Sequence, residues 1–389
     1  MTTLWATILI LGVLITIHEY GHFIAARSVG IRVERFSIGI PPRFLTLTSI
    51  ENGWLLRLFF IKKSNGKFSW QPIYEKMISK PHRPGSSTEY VLALLPLGGY
   101  VKMAGIIDES MDAEIKYEDD EFMSKPLWAK LWVMSAGVIM NTILAFAIFA
   151  AIGYTQGMPE VSDNPIVAEL QPGMPALAAG IQPGDQIVSI NGISIQTWKD
   201  LTSIIHAQPN KEITLIVLRK NVEINLSLTT SFFTSPSEAG IDTLGAIGII
   251  PEILYTDISI GEAIKSGWRG TVGSFGMIIM SLKMLGSGSA SMSDFGGPIM
   301  IAQLAGQTAE AGWVPFLTFM AMISVNLAFI NILPIPGLDG GHIMIHLVEG
   351  IIRRPLSMKA RIFIQQIGMV FLLMLMITII FNDISRLFN

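Results

Sequence analysis

The chain of 389 residues contains no cysteine. Disulfide bonds are therefore excluded, and so is a thiolate as a nucleophile or metal ligand, which leaves nitrogen and oxygen donors for any metal. Charge is also scarce, because charged residues make up only 15% of the chain whereas 50% of it is hydrophobic. Together with a mean hydropathy of +0.51, this composition excludes an ordinary soluble protein and indicates a membrane protein.

Long runs without charge are the main organising feature of the chain. Three of them, 131–153, 314–333 and 362–381, reach the roughly 20 residues that cross about 30 Å of hydrocarbon. A fourth apolar run, 4–26, is interrupted by one short polar motif. We therefore expect four transmembrane helices. No basic residue precedes the first run, so we interpret it as a retained helix rather than a signal peptide.

Basic residues are unevenly distributed between the predicted spans. Of the 27 Lys and Arg residues, none precedes Arg27 and 15 lie between Arg27 and Lys130. The short loop before the last span carries Arg353, Arg354, Lys359 and Arg361. Because cytoplasmic loops are enriched in Lys and Arg, we expect these two loops inside, and both termini and the segment 154–313 outside. The basic residues carry no signature of a nucleic-acid binder, and we expect them to meet the lipid bilayer instead.

The first loop combines β-rich segments with an aromatic and basic stretch. Residues 31–40 alternate apolar and polar and are followed by Pro41 and Pro42, which predicts a short strand ending there. A second strand is predicted over 88–103. Between them, 45–87 carries aromatic residues among lysines, which fits a lipid-facing surface and equally a solvated loop. We expect a cytoplasmic-side, membrane-associated β region.

The exported segment contains a small β-rich domain. Strands are predicted at 166–170 and 186–190, with a hairpin over 213–228. The strings GIQPGD at 180–185 and ING at 190–192 resemble a PDZ domain, which implies an α/β fold that captures a peptide C-terminus at a sheet edge. A spacer that only blocks access is the alternative. Beyond it, residues 263–285 predict an amphipathic helix on the membrane surface.

The polar motif in the first span reads HEYGH. In a helix His18 and His22 lie on one face, where both can bind a single cation, with Glu19 beside them. Ionisable groups at membrane depth cost several kcal/mol unless they are paired, hydrated or metal-bound, so they indicate a functional site. A chance match is the alternative. The spacing predicts a zinc site of the zincin type.

A hydrolytic zinc site usually has three protein ligands and one open position, so a third ligand is required. The sequence NILPIPGLDGGH at 331–342 breaks a helix at its prolines and allows Asp339 to turn back toward the protein. Asp339 is the predicted third ligand. An ordinary Asp-Gly turn is the alternative, and His342 and His346 are competing ligands.

The HEYGH motif, the NILPIPGLDGG motif at the end of the third span and the intervening PDZ-like segment together resemble the site-2 protease family of intramembrane metalloproteases. The resemblance extends over nearly the whole chain and implies a metalloendopeptidase with one Zn²⁺. It further implies single-pass transmembrane substrates, including anti-sigma-factor-like proteins and remnant signal peptides, and a role in an envelope stress response. The expected location is the bacterial inner membrane, with the active site near the cytoplasmic leaflet and the PDZ-like domain in the periplasm.

On this hypothesis zinc lowers the pKa of its water toward about 7, and Glu19 transfers the proton to the leaving amine. A helical substrate hides its carbonyls in hydrogen bonds and must unwind locally. We expect a strand edge to pair with the unwound chain, formed by Gly98, Gly99, Tyr100, Val101 and Lys102. Asn326 and Asn331 are predicted to bind it too, with helix-to-helix hydrogen bonding as the alternative for both.

The predicted architecture is an α-helical polytopic membrane protein with four transmembrane helices, a cytoplasmic-side β region and a periplasmic PDZ-like α/β domain. The predicted segments are the first span at 1–29, the β region at 30–127, the second span at 128–154, the PDZ-like domain at 158–232, a connector at 233–312, the third span with its motif loop at 313–361, and the fourth span with the tail at 362–389. The competing hypotheses are a divalent-metal carrier and a PDZ scaffold with a vestigial metal site.

Overall fold

The computed structural model describes residues 1–64, 67–81, 85–106, 115–237, 240–289 and 296–388. The chain divides into two compact units. One unit comprises Met1–Ile152 together with Ile260–Asn389, and the other is Gly153–Ser259. The HEYGH motif and Asp339, which form the predicted zinc site, both lie in the first unit.

The helices of the described chain are α1 (Thr2–Ser28), α2 (Leu127–Gln156), α3 (Pro175–Ala178), α4 (Trp198–His206), α5 (Ile260–Gly286), α6 (Pro298–Ala311), α7 (Trp313–Ile332), α8 (Asp339–Ile352) and α9 (Met358–Phe388). The strands are β1 (Val33–Ile50), β2 (Gly53–Ser64), β3 (Lys67–Ser79), β4 (Glu89–Met103), β5 (Met158–Val161), β6 (Val167–Leu170), β7 (Gln186–Ile190), β8 (Ile193–Ser194), β9 (Glu212–Arg219), β10 (Val222–Thr229), β11 (Ser231–Ser237), β12 (Gly240–Ala246), β13 (Ile249–Pro251) and β14 (Ile253–Thr256).

Four of the described helices are long and apolar enough to cross a membrane, as the sequence predicts. They are α1, α2, α7 and the Met358–Arg386 part of α9. The amphipathic segment predicted over 263–285 is the helix α5, which contains charged residues at both ends. Sequence analysis did not predict α6, a helix of 14 residues between α5 and α7.

The prediction that the first strand ends at Pro41 is wrong, because β1 continues to Ile50. The register between β1 and β4 shifts repeatedly between Ile38 and Leu45, so ladder hydrogen bonds are interrupted where Pro41 and Pro42 have no N–H to donate. Beyond the prolines, the strand regains regular pairing with β2 from Leu45 onward. The pair of prolines therefore produces an irregularity within one strand instead of a strand end.

The first sheet has the strand order β3-β2-β1-β4. The irregular pairing of β1 with β4 places residues 99–102 of β4 at its edge. Residues 35–38 of β1 pair with residues 89–92 of β4 and also with residues 99–102 of β4. Within the described residues, the 99–102 segment has no second strand partner. Its outer side is therefore a free strand edge, of the kind predicted for 98–102.

α1 lies against β4. A Cβ placed on Gly12 of α1 would lie 2.8 Å from the carbonyl oxygen of Pro96 in β4, so only glycine allows the approach. Farther along α1, Phe23 packs in a buried cluster with Phe36 of β1 and Val133 of α2. This cluster fixes α1, α2 and the sheet around the HEYGH motif.

The unit Gly153–Ser259 has its own core, in which Ile187, Leu215 and Leu201 are fully buried. Its main sheet has the order β10-β9-β7-β8, and the predicted strands and hairpin are all present. The unit is longer than the predicted 158–232 because β13 pairs with β6 and β14 pairs with β5, which returns the chain to the start of the unit.

Candidate metal centre

Two histidines of α1 converge on one point. His18 and His22 are both buried, and their Nε2 atoms lie 3.2 Å apart because residues four apart in a helix share a face. In this arrangement each ring directs one nitrogen toward the same space. The helix therefore presents two ring nitrogens to one point.

Asp339 reaches the same point from the first residue of α8. α7 ends at Ile332, and the chain turns so tightly that a Cβ on Gly340 would lie 2.2 Å from the carbonyl oxygen of Ile332. The turn places Oδ2 of Asp339 at 3.2 Å from Nε2 of His18 and 3.3 Å from Nε2 of His22. The glycine after the aspartate is thus required for the side chain to return to α1.

The three atoms have the spacing of a zinc ligand set. Ligands about 2.1 Å from a tetrahedral zinc ion lie about 3.4 Å from one another, and the three observed separations are 3.2, 3.2 and 3.3 Å. Oδ2 of Asp339 is buried and receives no hydrogen bond. His18, His22 and Asp339 are the one group of three such residues found in the described chain. The donor set of two imidazoles and a carboxylate fits Zn²⁺.

Electrostatics favour the ionised form of the aspartate. Burial raises the pKa of Asp339. The adjacent His22 and His18 lower it by more than burial raises it, so the net pKa is below the ordinary value. The ionised carboxylate is the form that binds a metal. Of the competing histidines, His342 lines the same cavity as these residues but does not belong to the group of three converging ligand atoms, and Nδ1 of His346 lies 3.2 Å from Glu349.

The far sides of both rings are held by α2. Nδ1–H of His22 donates to the carbonyl oxygen of Val133 at 2.8 Å. Nδ1 of His18 lies 3.4 Å from Nδ2 of the fully buried Asn141, whose Oδ1 has no partner. With the amide turned by 180°, Oδ1 accepts the Nδ1–H of His18 and satisfies both groups. Nε2 of each ring then remains available for a metal.

Asn141 and Gly137 of α2 were not predicted from the sequence. A Cβ on Gly137 would lie 2.5 Å from Cε1 of His18 and 2.6 Å from Nε2 of His22, so the two rings require the space that glycine leaves. A polar amide inside an uncharged span indicates a functional residue, and Asn326 and Asn331 were predicted on this ground. Applied to the second span, it would have identified Asn141.

Glu19 contacts the edge strand. Its Oε2 accepts the backbone N–H of Val101 at 3.0 Å. This N–H points away from β1 and toward α1. A Cβ on Gly99 would lie 3.7 Å from Cγ of Glu19, in ordinary contact. The carboxylate therefore lies between the histidine pair and the free strand edge.

A cavity of about 700 Å³ opens beside these groups. Its lining includes His18, Glu19, His22 and Asp339, together with Tyr100, Val101, Lys102 and Asn331 from the predicted substrate-binding set. The remaining members of that set, Gly98, Gly99 and Asn326, are not among the lining residues. The structure thus brings the predicted catalytic and ligand residues to one cavity, with most of the strand edge and one of the two asparagines.

Comparisons with known proteins agree with this chemistry. The model of peptidase family M50 matches residues 6–67 and 75–375. The chain is 28% identical to the regulator of sigma-W protease RasP of Bacillus subtilis, over 100% of this chain and 99% of the relative. It is 29% identical to the protease RseP of Yersinia pestis, over the full length of both. It is 32% identical to a putative zinc metalloprotease of Clostridium acetobutylicum, over 97% of this chain and 96% of the relative.

Among solved structures, the PDZ domain of the SdrC-like protein of Listeria monocytogenes is 17% identical and covers 24% of this chain and 93% of its own, at a TM-score of 0.19. That similarity is too weak to define a fold. The family match covers most of the chain, and it confirms the resemblance to site-2 proteases and the assignment of zinc as cofactor. The chain belongs to peptidase family M50 and is a membrane-associated zinc metalloprotease.

Proposed function

We propose that the chain cleaves peptide bonds within transmembrane segments of single-pass membrane proteins. The observation that carries the proposal is the convergence of His18, His22 and Asp339 within 3.3 Å of one another. The two histidines lie on the candidate span α1, and Asp339 begins the helix that follows the candidate span α7. Such a cluster at membrane depth requires a function. A metalloprotease with its metal ligands on and beside spans is suited to chains that lie in the membrane.

In the proposed reaction the two histidines and the aspartate would hold the zinc ion, and Glu19 is the general base. When bound, zinc would supply water with a pKa of about 7 and would polarise a carbonyl. Glu19 would take the proton from that water and return it to the leaving amine. Val133 and Asn141 keep both imidazoles oriented through their Nδ1 atoms.

The substrate is proposed to bind as an extra strand. A transmembrane helix must unwind before its carbonyls are accessible, and the freed backbone groups then require hydrogen-bond partners. The outer edge of β4 at residues 99–102 offers such partners next to Glu19. Asn331 lines the same cavity and can hydrogen-bond the extended chain, whereas Asn326 lies outside the lining and is the weaker candidate.

The substrate class follows from the relatives. One of them is named as a regulator of sigma-W and is similar to this chain over its whole length. We therefore propose anti-sigma-factor-like proteins as substrates in a stress response, with remnant signal peptides as a second class. The proposed location is the bacterial inner membrane, with both termini and the segment 158–232 in the periplasm and the zinc site near the cytoplasmic leaflet. We propose a PDZ-like peptide-binding role for 158–232.

The test is the variant Glu19→Gln in the purified full-length protein, with a model transmembrane substrate in detergent. Loss of the general base should lower the cleavage rate by about 10²–10⁴-fold while zinc stays at about one per chain by metal analysis. Glu51→Gln, on an exposed turn, is the matched control and should cleave like the parent. Cleavage by Glu19→Gln at the parental rate would refute the assignment of the base.

A second variant separates the ligand from the base. Asp339→Asn removes a charged zinc ligand, so both zinc content and activity should fall together. Retention of full zinc and activity would move the third ligand to His342, which lines the same cavity. A metal carrier, in contrast, would move zinc across vesicles and would not need Glu19 to do so.

A further inference from the structure

A second cavity lies at the amino-terminal ends of two spanning helices. It has a volume of about 600 Å³, and its lining includes Leu127 at the start of α2 and Met358 at the start of α9. Four cationic side chains line it: Lys130, Arg353, Arg354 and Arg361. The one carboxylate in the lining is Glu349 of α8. The cavity therefore carries an excess of positive charge.

Glu349 is already fully engaged. It accepts hydrogen bonds from Nη2 of Arg361 at 2.5 Å and from the backbone N–H of Leu356 at 2.8 Å, and it lies 3.2 Å from Nδ1 of His346. Its ion-pair partner among the cavity's Lys and Arg side chains is Arg361. In the part of the chain that the structure describes, Lys130, Arg353 and Arg354 have no carboxylate within 4 Å. Three cations without an ion-pair contact thus share one cavity.

One side chain that lines this cavity has a buried donor without an acceptor. Arg361 is only 8% exposed, and its Nε has no hydrogen-bond partner. A buried polar group without a partner costs about 1–3 kcal/mol, so such groups are rare unless a ligand or water satisfies them. A guanidinium in this state is suited to an anion with several oxygens, above all a phosphate.

Two exposed apolar side chains are the sequence neighbours of the lining residues Leu127 and Gly350. Trp128, one residue into α2 from Leu127, is 64% exposed, and Ile351 at the end of α8 is 80% exposed. Trp is enriched where a helix enters the headgroup layer, and both spanning helices start at this level. A free phosphate would gain nothing from these side chains, whereas a lipid places acyl chains beside its headgroup.

We propose that this cavity binds the phosphate headgroup of an anionic phospholipid. Arg353, Arg354 and Lys130 contact the phosphate, Arg361 supplies its unused Nε–H, and the acyl chains lie along the exposed Trp128 and Ile351. Basic pockets between helices on the cytoplasmic side are suited to such headgroups. The site is separate from the zinc site and does not depend on the proposed proteolytic function.

The experiment measures lipid binding to the full-length protein in a neutral detergent. Phosphatidylglycerol is titrated against the parent, Arg354→Gln and Lys359→Gln, and binding is followed by native mass spectrometry and by the shift in thermal unfolding. Arg354→Gln removes one charge from the cavity, and it should weaken binding about tenfold or more, the value of one charge-assisted hydrogen bond. Lys359→Gln removes one charge from the nearby first turn of α9 but outside the cavity lining, and should bind like the parent.

Two probes distinguish the sources of the phosphate. Phosphatidylcholine should bind far more weakly than phosphatidylglycerol, and inorganic phosphate at the same concentration should give no thermal shift. Equal losses in Arg354→Gln and Lys359→Gln would overturn the proposal in favour of general surface attraction. An equal effect of inorganic phosphate and phosphatidylglycerol would overturn the lipid assignment. Unchanged zinc content in both variants confirms that they are folded.

Discussion

At the scale of single residues, the orientation of the histidine pair depends on α2 as much as on α1. The carbonyl of Val133 and the amide of Asn141 contact the Nδ1 atoms of His22 and His18. Partners of this kind fix the ring tautomer and raise the basicity of the ligand. Zinc binding should therefore be sensitive to a residue that never touches the metal.

Asn141→Ala should weaken zinc binding by about 10–100-fold, the usual effect of losing such a partner, because His18 is no longer held in the ligand tautomer. The measurement is competition with a zinc chelator on the full-length protein. Asn326→Ala is the control, since it also removes an amide from a spanning helix but lies outside the cavity lining. Identical zinc affinities in the two variants would contradict this role of Asn141.

The residue types at the centre could be predicted, but their supports could not. His18 and His22 are neighbours through helix geometry alone, and Asp339 follows from the need for a third ligand. Gly137 and Asn141 lie more than 110 residues after His22 in the sequence, and their role depends on how two helices pack. Nothing in their local sequence specifies that packing.

At the scale of elements, α6 is attached to α9 through one carboxylate. Asp383 is buried, and its oxygens accept the backbone N–H groups of Gly297 at 2.8 Å and of Ile299 at 2.9 Å. These are the free donors at the start of α6, which no side chain of α6 itself caps. Asp383 thus acts as the missing cap from a distant part of the chain.

Asp383→Ala should destabilise the protein by about 1–2 kcal/mol, the cost of removing a helix cap. The expected readout is a lower thermal midpoint in detergent, together with faster hydrogen exchange confined to α6. Asp383→Asn keeps one acceptor oxygen and should lie between the parent and Asp383→Ala. An unchanged exchange pattern in α6 would show that the contact contributes nothing to its stability.

In the unit Gly153–Ser259, an ion pair between the buried Asp185 and the half-buried Arg219 makes stability depend on pH. Burial raises the pKa of Asp185, but hydrogen bonds from Arg219 and from the N–H of Gln182 outweigh it, so the pKa is below its ordinary value. A depressed carboxyl pKa stabilises the fold above the unfolded value of about 3.9, and this contribution is lost as the pH falls through the folded pKa.

Arg219→Gln should therefore lower the free energy of unfolding of this unit at pH 7, and it should lower it by less at about pH 3. Hydrogen exchange of the strand amides in β7 and β9 of the full-length protein measures the difference at each pH. Lys211→Gln, an exposed charge in the same unit, should show no such pH dependence. A destabilisation by Arg219→Gln that is equal at both values would rule out the linkage.

The sequence predicted helices more reliably than strands. The four spans follow from run length and hydropathy, which are local properties. The interleaving of β1 and β4 depends on the pairing of residues 35–38 with two segments of β4, which no period-2 pattern encodes. For the same reason, the return of β13 and β14 to the start of their unit could not be predicted from composition.

At the scale of the whole molecule, the absence of cysteine permits a direct test of the proposed orientation. Single cysteines in the variants Lys199→Cys and Lys359→Cys would be the sole thiols of the chain, and both positions are exposed. With an impermeant maleimide on intact spheroplasts, Lys199→Cys should be labelled. Lys359→Cys should be labelled only after the membrane is opened. The reverse pattern would invert the orientation.

The hydrogen bond between Glu19 and the N–H of Val101 has a consequence for the order of events. A chain that extends the sheet at this position needs the same hydrogen atom that the carboxylate now accepts. A bound substrate strand and the Glu19 carboxylate would thus compete for the Val101 N–H, and binding of the strand would displace Glu19. On the proposed mechanism, Glu19 then becomes free to accept a proton from water only when a substrate is bound, which limits hydrolysis in the absence of substrate.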